Sequence, residues 1–176
     1  QQAQQAIKDQ QLYMQAYANT DGTLPQMTKF LATNGVSGPG YMNFMKQHLD
    51  RQKELTALSK SQLDLEGENH KMAGDTMISI LQSPDEKKAP LYQAALPELQ
   101  KHAAGKLPAE YPGDDAWKVM IGMNNSGKAL VDQTKAQAET QKDVATTAGE
   151  QQKTAAVKLA QAKEDLSGVS DPASYA

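Results

Sequence analysis

WKVMIGMNNSGKALVDQTKAQAETQKDVATTAGEQQKTAAVKLAQAKEDL, residues 117–166, is the stretch that decides how this chain folds. Stepping alternately three and four residues, its inner positions read Trp117, Met120, Asn124, Gly127, Val131, Thr134, Ala138, Gln141, Ala145, Ala148, Gln152, Ala155, Leu159, Ala162 and Leu166. That alternation is the seam of a coiled-coil-like helix. Most of the seam is small or polar. Burying an alanine methyl yields far less than burying a leucine, which is worth roughly 1.5–3 kcal/mol. The helix therefore forms readily but needs neighbours to hold it. Lys128, Lys135 and Lys142 recur with the heptad, as do Asp132 and Glu139. They flank the seam and leave it neutral, as on a solvated helix with one contact stripe.

Upstream, residues 1–18 read as a Gln-rich helix with Ile7, Met14 and Tyr17 on one face, ended by the turn cluster Asn19-Thr20-Asp21-Gly22. Thr23 is placed to cap a short helix that carries Pro25 in its first turn and stops at Asn34-Gly35. Ser37-Gly38-Pro39-Gly40 then opens a long helix over about residues 40–82. Its seam reads Leu55, Leu58, Gln62, Leu65, Asn69, Met72, Thr76. Ser83-Pro84-Asp85-Glu86 reads as a capping box, starting a helix to about Ala104 with Pro90 and Pro97 inside it, each expected to bend it. Residues 106–113 form a turn-rich link, and Asp114 is placed to cap the last helix. Asn124-Asn125-Ser126-Gly127, four poor helix formers in a row, reads as a weak point or hinge in it.

Composition narrows the function. The chain has 176 residues, 5% of them aromatic, with a mean hydropathy of −0.66. Gln and Ala are enriched and strand formers are thin, so the chain should be nearly all helix with a slight core. The 18 basic and 21 acidic residues give a net charge of −3 and no basic footprint for nucleic acid. Arg51 is the single arginine, and the aromatics are not interleaved with basic stripes. Without cysteine there is no disulfide and no thiolate metal site. No apolar run approaches the roughly 18 residues of a membrane span. The chain begins at Gln1, which reads as a trimmed product or part of a longer polypeptide.

Candidate chemistry is sparse. Gly122-Met-Asn-Asn-Ser-Gly127-Lys128-Ala129 approaches a phosphate-binding loop, but Ala129 stands where a magnesium-binding hydroxyl is needed. His48, His70 and His102 lie far apart in sequence, and Glu66 and His70, four apart, read as a surface ion pair. Glu66 and Glu68 do not share a helix face. No catalytic, cofactor or metal residue is assigned.

Residues 75–117, DTMISILQSPDEKKAPLYQAALPELQKHAAGKLPAEYPGDDAW, resemble a recurrent segment of virion proteins of tailed bacteriophages. The likeness lies in the Pro-Asp/Glu helix start, the run Leu91-Tyr92-Gln93-Ala94-Ala95-Leu96-Pro97, and Leu107-Pro108-Ala109-Glu110-Tyr111. The upstream Leu/Met and Gln/Lys/Leu helices and the downstream Ala/Gln/Lys heptads are similar in layout. The resemblance implies a non-enzymatic structural protein located in the virion, of the internal or ejection type near the portal. It implies partners among copies of itself and other virion proteins such as portal or tail components. A cellular helical adaptor binding a partner protein through the same stripes is the alternative.

The expected fold is all-α: an extended helical hairpin or open bundle of two long helices and three shorter ones, with coiled-coil-like packing. The expected segments are 1–36, 37–113, 114–166 and a disordered tail at 167–176. The expected assembly seam is Leu55, Leu58, Leu65, Met72, Val131, Ala138, Ala145, Ala148, Ala155 and Leu159.

Overall fold

The structure, a computed structural model, describes residues 1–169. These form six α-helices and no strand: α1 (Gln2–Asn19), α2 (Leu24–Thr33), α3 (Gly38–Thr56), α4 (Lys60–Gln82), α5 (Asp85–His102) and α6 (Asp114–Val169). The all-α class is as expected, but the helix expected over 40–82 is two helices. The break lies where Ser59 caps α4: its hydroxyl accepts from the Gln62 amide while the Gln62 side chain accepts from the Ser59 amide. A capping box was expected at Ser83 instead. There Ser83 closes α4 and its hydroxyl donates to the Ser79 carbonyl at 2.7 Å, and α5 starts after Pro84 with no side-chain cap. Pro90 and Pro97 lie inside α5, which continues through both. α6 passes unbroken through Asn124–Gly127 and on to Val169, so 167–169 belong to the helix. The remainder of the expected tail, 170–176, lies outside the described residues.

The chain divides into two compact units inside α6: Gln1–Lys135, and the residues from Ala136 onward. In the first unit α1, α2 and α3 enclose Tyr13, Ala16, Met27, Leu31 and Phe44. Asp9 latches this corner. Its buried carboxylate accepts from the Ser37 amide (3.0 Å) and from the Ser37 hydroxyl, while that hydroxyl accepts from the Gly40 amide as the N-cap of α3. A Cβ on Gly40 would lie 2.4 Å from the Asp9 carboxylate, so the latch needs glycine there. Burial alone would raise the Asp9 carboxyl's pKa. The hydrogen bonds from Ser37 and Gln5 outweigh burial and hold it below its ordinary 3.8.

The other half of the first unit is an α4–α5 pair closed by the start of α6. Met77, Ile80, Tyr92, Leu99, Leu107 and Trp117 are its buried centre. Tyr92 and Trp117 meet edge to face at 5.2 Å, and the Trp117 indole donates to the Met77 carbonyl at 2.9 Å. α4 and α6 run antiparallel along small residues. Gly67 faces Val131, His70 faces Gly127, Gly74 faces Asn124, and Met77 faces Trp117. Asn124 ties this contact polar-to-polar: its amide donates to the His70 carbonyl (2.7 Å) and its oxygen accepts from the Ala104 amide (3.1 Å). Leu55, Leu63, Leu130 and Val131 form a third cluster with Leu58 beside them.

The second unit is, over its described residues, the helix from Ala136 to Val169. Every described residue from Ala136 to Leu166 is exposed except Gly149, which is half-buried.

Candidate functional site

The expected seam separates into two populations. Leu55, Leu58 and Val131 come together inside the first unit and are used in its core. Leu65 and Met72 are 58% and 61% exposed, because the buried face of α4 is Leu63, Gly67, His70, Gly74 and Met77. Ala138, Ala145, Ala148, Ala155 and Leu159 are all exposed on the second unit, Leu159 by 60%. The heptad ladder of α6 thus changes role at Lys135. Trp117, Asn124, Val131 and Thr134 are buried; from Ala138 onward the same stripe has no cover within its unit.

That uncovered helix is less polar than its composition suggests. Thr140, Thr146 and Thr154 each turn the hydroxyl back onto the carbonyl four residues earlier, at 2.9–3.0 Å. Their hydroxyls are thereby satisfied, leaving the methyls of these three threonines outward. Val144, Val157 and Leu166 are each more than three-fifths exposed beside the alanines. Gln141, Gln152 and Leu159 share the stripe with the alanines.

Comparison of the chain with protein-family models, with curated proteins and with solved structures gives no match. Its functional reading therefore rests on its own residues.

The near-phosphate loop is not a loop. Gly122–Ala129 is α-helix, so its amides are committed to helical hydrogen bonds, and Lys128 pairs with Asp132 at 2.8 Å. The two glycines serve close packing. A Cβ on Gly122 would lie 1.8 Å from the Tyr17 carbonyl oxygen, and one on Gly127 would lie 2.9 Å from Ala104. The supposed weak point is itself closely approached, by Gly22 at Asn125 and Ser126 and by Ala104 and His70 at Gly127.

The three histidines, far apart in sequence, do converge. His48 from α3, His70 from α4 and His102 from the end of α5 line one cleft of about 410 Å³ with Arg51, Glu66 and Lys101. Glu66 and His70 approach to 3.6 Å, but His70 is buried and not on the surface as expected. Among the described residues no group of three or more His, Asp or Glu is placed to hold a metal ion. Likewise no described helix is long and apolar enough to cross a membrane.

Two polar clusters gave no local sequence signal. Lys88 is buried and reaches both Asp85 (3.1 Å) and Asp114 (2.9 Å). Asp114 also accepts from the Tyr111 hydroxyl, so it acts as a bridge between α5, the link and α6, whereas a cap was expected. The bonds from Tyr111 and then Lys88 hold the Asp114 carboxyl below its ordinary range. Burial, followed by Asp114, pushes the Tyr111 phenol up to about 12. The Asp9–Ser37 latch spans 28 residues and is equally silent in the sequence. These clusters are internally satisfied and serve as fasteners.

Proposed function

We propose that this chain is a non-enzymatic structural protein of a tailed-phage particle, assembling in multiple copies through the exposed stripe of α6. One observation carries the reading: the heptad that is buried from Trp117 to Thr134 continues in register, uncovered, through Leu166. Helices in water draw most of their stability from a buried face and not from propensity. Here about thirty residues keep the spacing of a contact stripe with no cover in their own unit, at roughly 1.5 Å of rise each. A second copy, or another virion protein, supplies the missing face.

The charges constrain how copies meet. In an in-register parallel pair, Lys158 of one helix would oppose Lys163 of its neighbour, five residues on. A staggered or antiparallel arrangement avoids that repulsion. The likeness of residues 75–117 to phage virion segments supplies the particle. The test is mass spectrometry of purified particles from a host expressing a tagged chain. Stoichiometric, wash-resistant incorporation supports the reading. A tagged chain found only in the soluble lysate overturns it.

A further inference from the structure

We propose that His48 is an acid-operated catch that holds α3 against α6 when its ring is neutral and releases α3 when the ring takes a second proton. The ring sits in a seat built for the neutral form. Nδ1 lies 3.0 Å from the Phe44 carbonyl oxygen, which can only accept, so that nitrogen carries the hydrogen. Nε2 lies 3.4 Å from the Ser126 hydroxyl of α6 and accepts from it. One face packs on the Phe44 ring at 4.4 Å, and the residue is 8% exposed.

Among the described residues no carboxylate lies within ion-pair distance of the ring to receive a second proton's charge. The charged and titratable groups facing the seat are Tyr17 of α1, Asp21 of the α1–α2 turn, Arg51 of α3, Glu66 and His70 of α4, and Lys101 and His102 of α5. α6 contributes Met123, Ser126, Gly127, Ala129, Leu130 and Gln133, none ionisable. Glu66 is shared between Arg51 (3.5 Å) and His70 (3.6 Å), and Asp21 is bonded to Thr23. Lys101 and His102 both lean on Glu98. The two lining cations are thus already paired, and a charge on His48 would add to Arg51 on its own helix.

The seat also has exits. His48, Ser126 and Leu130 form the wall between the 410 Å³ cleft and a second cavity of about 400 Å³ that holds Asp21. A charged ring can leave for water in either cavity, and leaving breaks the Ser126 contact and the stack on Phe44. Burial is what lowers the affinity of this ring for the proton, against a smaller opposite effect of the Phe44 carbonyl. The unfolded chain therefore binds the proton first, near the ordinary 6.5. Stability is full above that pH and falls as pH drops below it, until the folded form protonates too.

The experiment is urea denaturation of the full chain, read by Trp117 fluorescence, between about pH 7.5 and pH 5. The wild type is expected to lose stability below pH 6.5, by up to about tenfold in the unfolding constant per pH unit. His48→Gln, which keeps a donor toward Phe44 and an acceptor toward Ser126 without a titrating charge, is expected to flatten that slope. A wild type without the slope, or a variant that retains it, overturns the proposal. If the variant does not fold, NMR titration of His48 in the wild type decides. A midpoint below 6.5 supports the catch, and a midpoint at or above 6.5 overturns it.

Discussion

Gly122→Ala is the sharpest probe of how the first unit is held together. On α6 the new Cβ would lie 1.8 Å from the Tyr17 oxygen, 2.4 Å from its carbonyl carbon and 2.9 Å from its Cα. All three are backbone atoms of α1, so no side-chain rotation relieves the collision. Ordinary contact begins at 3.4 Å, so α1 must retreat by about 1.6 Å. That retreat loosens Ala16, fully buried, and Tyr13 with it. Overpacking of a core typically costs about 1–3 kcal/mol, and a backbone collision belongs at the upper end. Alanine's better helix propensity returns about 0.8–1 kcal/mol. The expected net loss is about 1–2 kcal/mol, roughly a five- to thirtyfold change in the unfolding constant. Trp117, the single tryptophan and fully buried, reports it in a urea titration. Gly149→Ala is the control, with nothing within 4 Å of its Cβ. It should gain up to about 1 kcal/mol of helix stability, seen as ellipticity. A Gly122→Ala protein as stable as the wild type would show that α1 does not sit against α6 here.

Three further outcomes are expected. Ser59→Ala should cost about 1 kcal/mol by removing the N-cap of α4, whereas Ser83→Ala should change the urea midpoint little, because Ser83 only closes the preceding helix. Asp9→Ala should lower the thermal midpoint and remove an acid-sensitive step. The Asp9 carboxyl is depressed in the folded state, so its contribution is full above 3.8 and is lost as pH falls through the lower folded value. An unchanged acid-unfolding curve would refute the latch. Lys88→Met should lower the thermal midpoint by leaving Asp85 and Asp114 without their shared cation, and a midpoint at or above wild type would show that the bridge is dispensable.

Much of α6 was legible in the sequence, and the reason is physical. A regular helix with one buried face writes its contacts every three and four residues, and Trp117, Val131 and Thr134 stand on that face as read. α4 was misread for the converse reason. Its buried face is built on Gly67, Ala73 and Gly74, which carry almost no hydrophobic signal, while the leucine and methionine at 65 and 72 face outward. The break at Ser59 escaped because Ser-Lys-Ser-Gln is a quieter capping box than Ser-Pro-Asp-Glu, and only packing decides which is used. The Lys88–Asp114 and Asp9–Ser37 contacts join residues 26 and 28 apart, and the histidine cleft draws on three helices, so no local pattern encodes them. Asn124–Gly127 shows the same limit in reverse. Poor intrinsic helix formers form helix there while packed closely against the α1–α2 turn at Gly22, α4 at His70 and Gly74, and Ala104.

If the exposed stripe of α6 joins copies of the chain, sedimentation equilibrium of the full chain shows it. The monomer is 19.1 kDa. The weight-average mass should rise above that value with concentration. Ala145→Leu, which overpacks a close helix contact by about 1–3 kcal/mol, should weaken association roughly five- to 150-fold with helix content intact. A 19.1 kDa species at every concentration, or an Ala145→Leu protein that associates as well as the wild type, would contradict it.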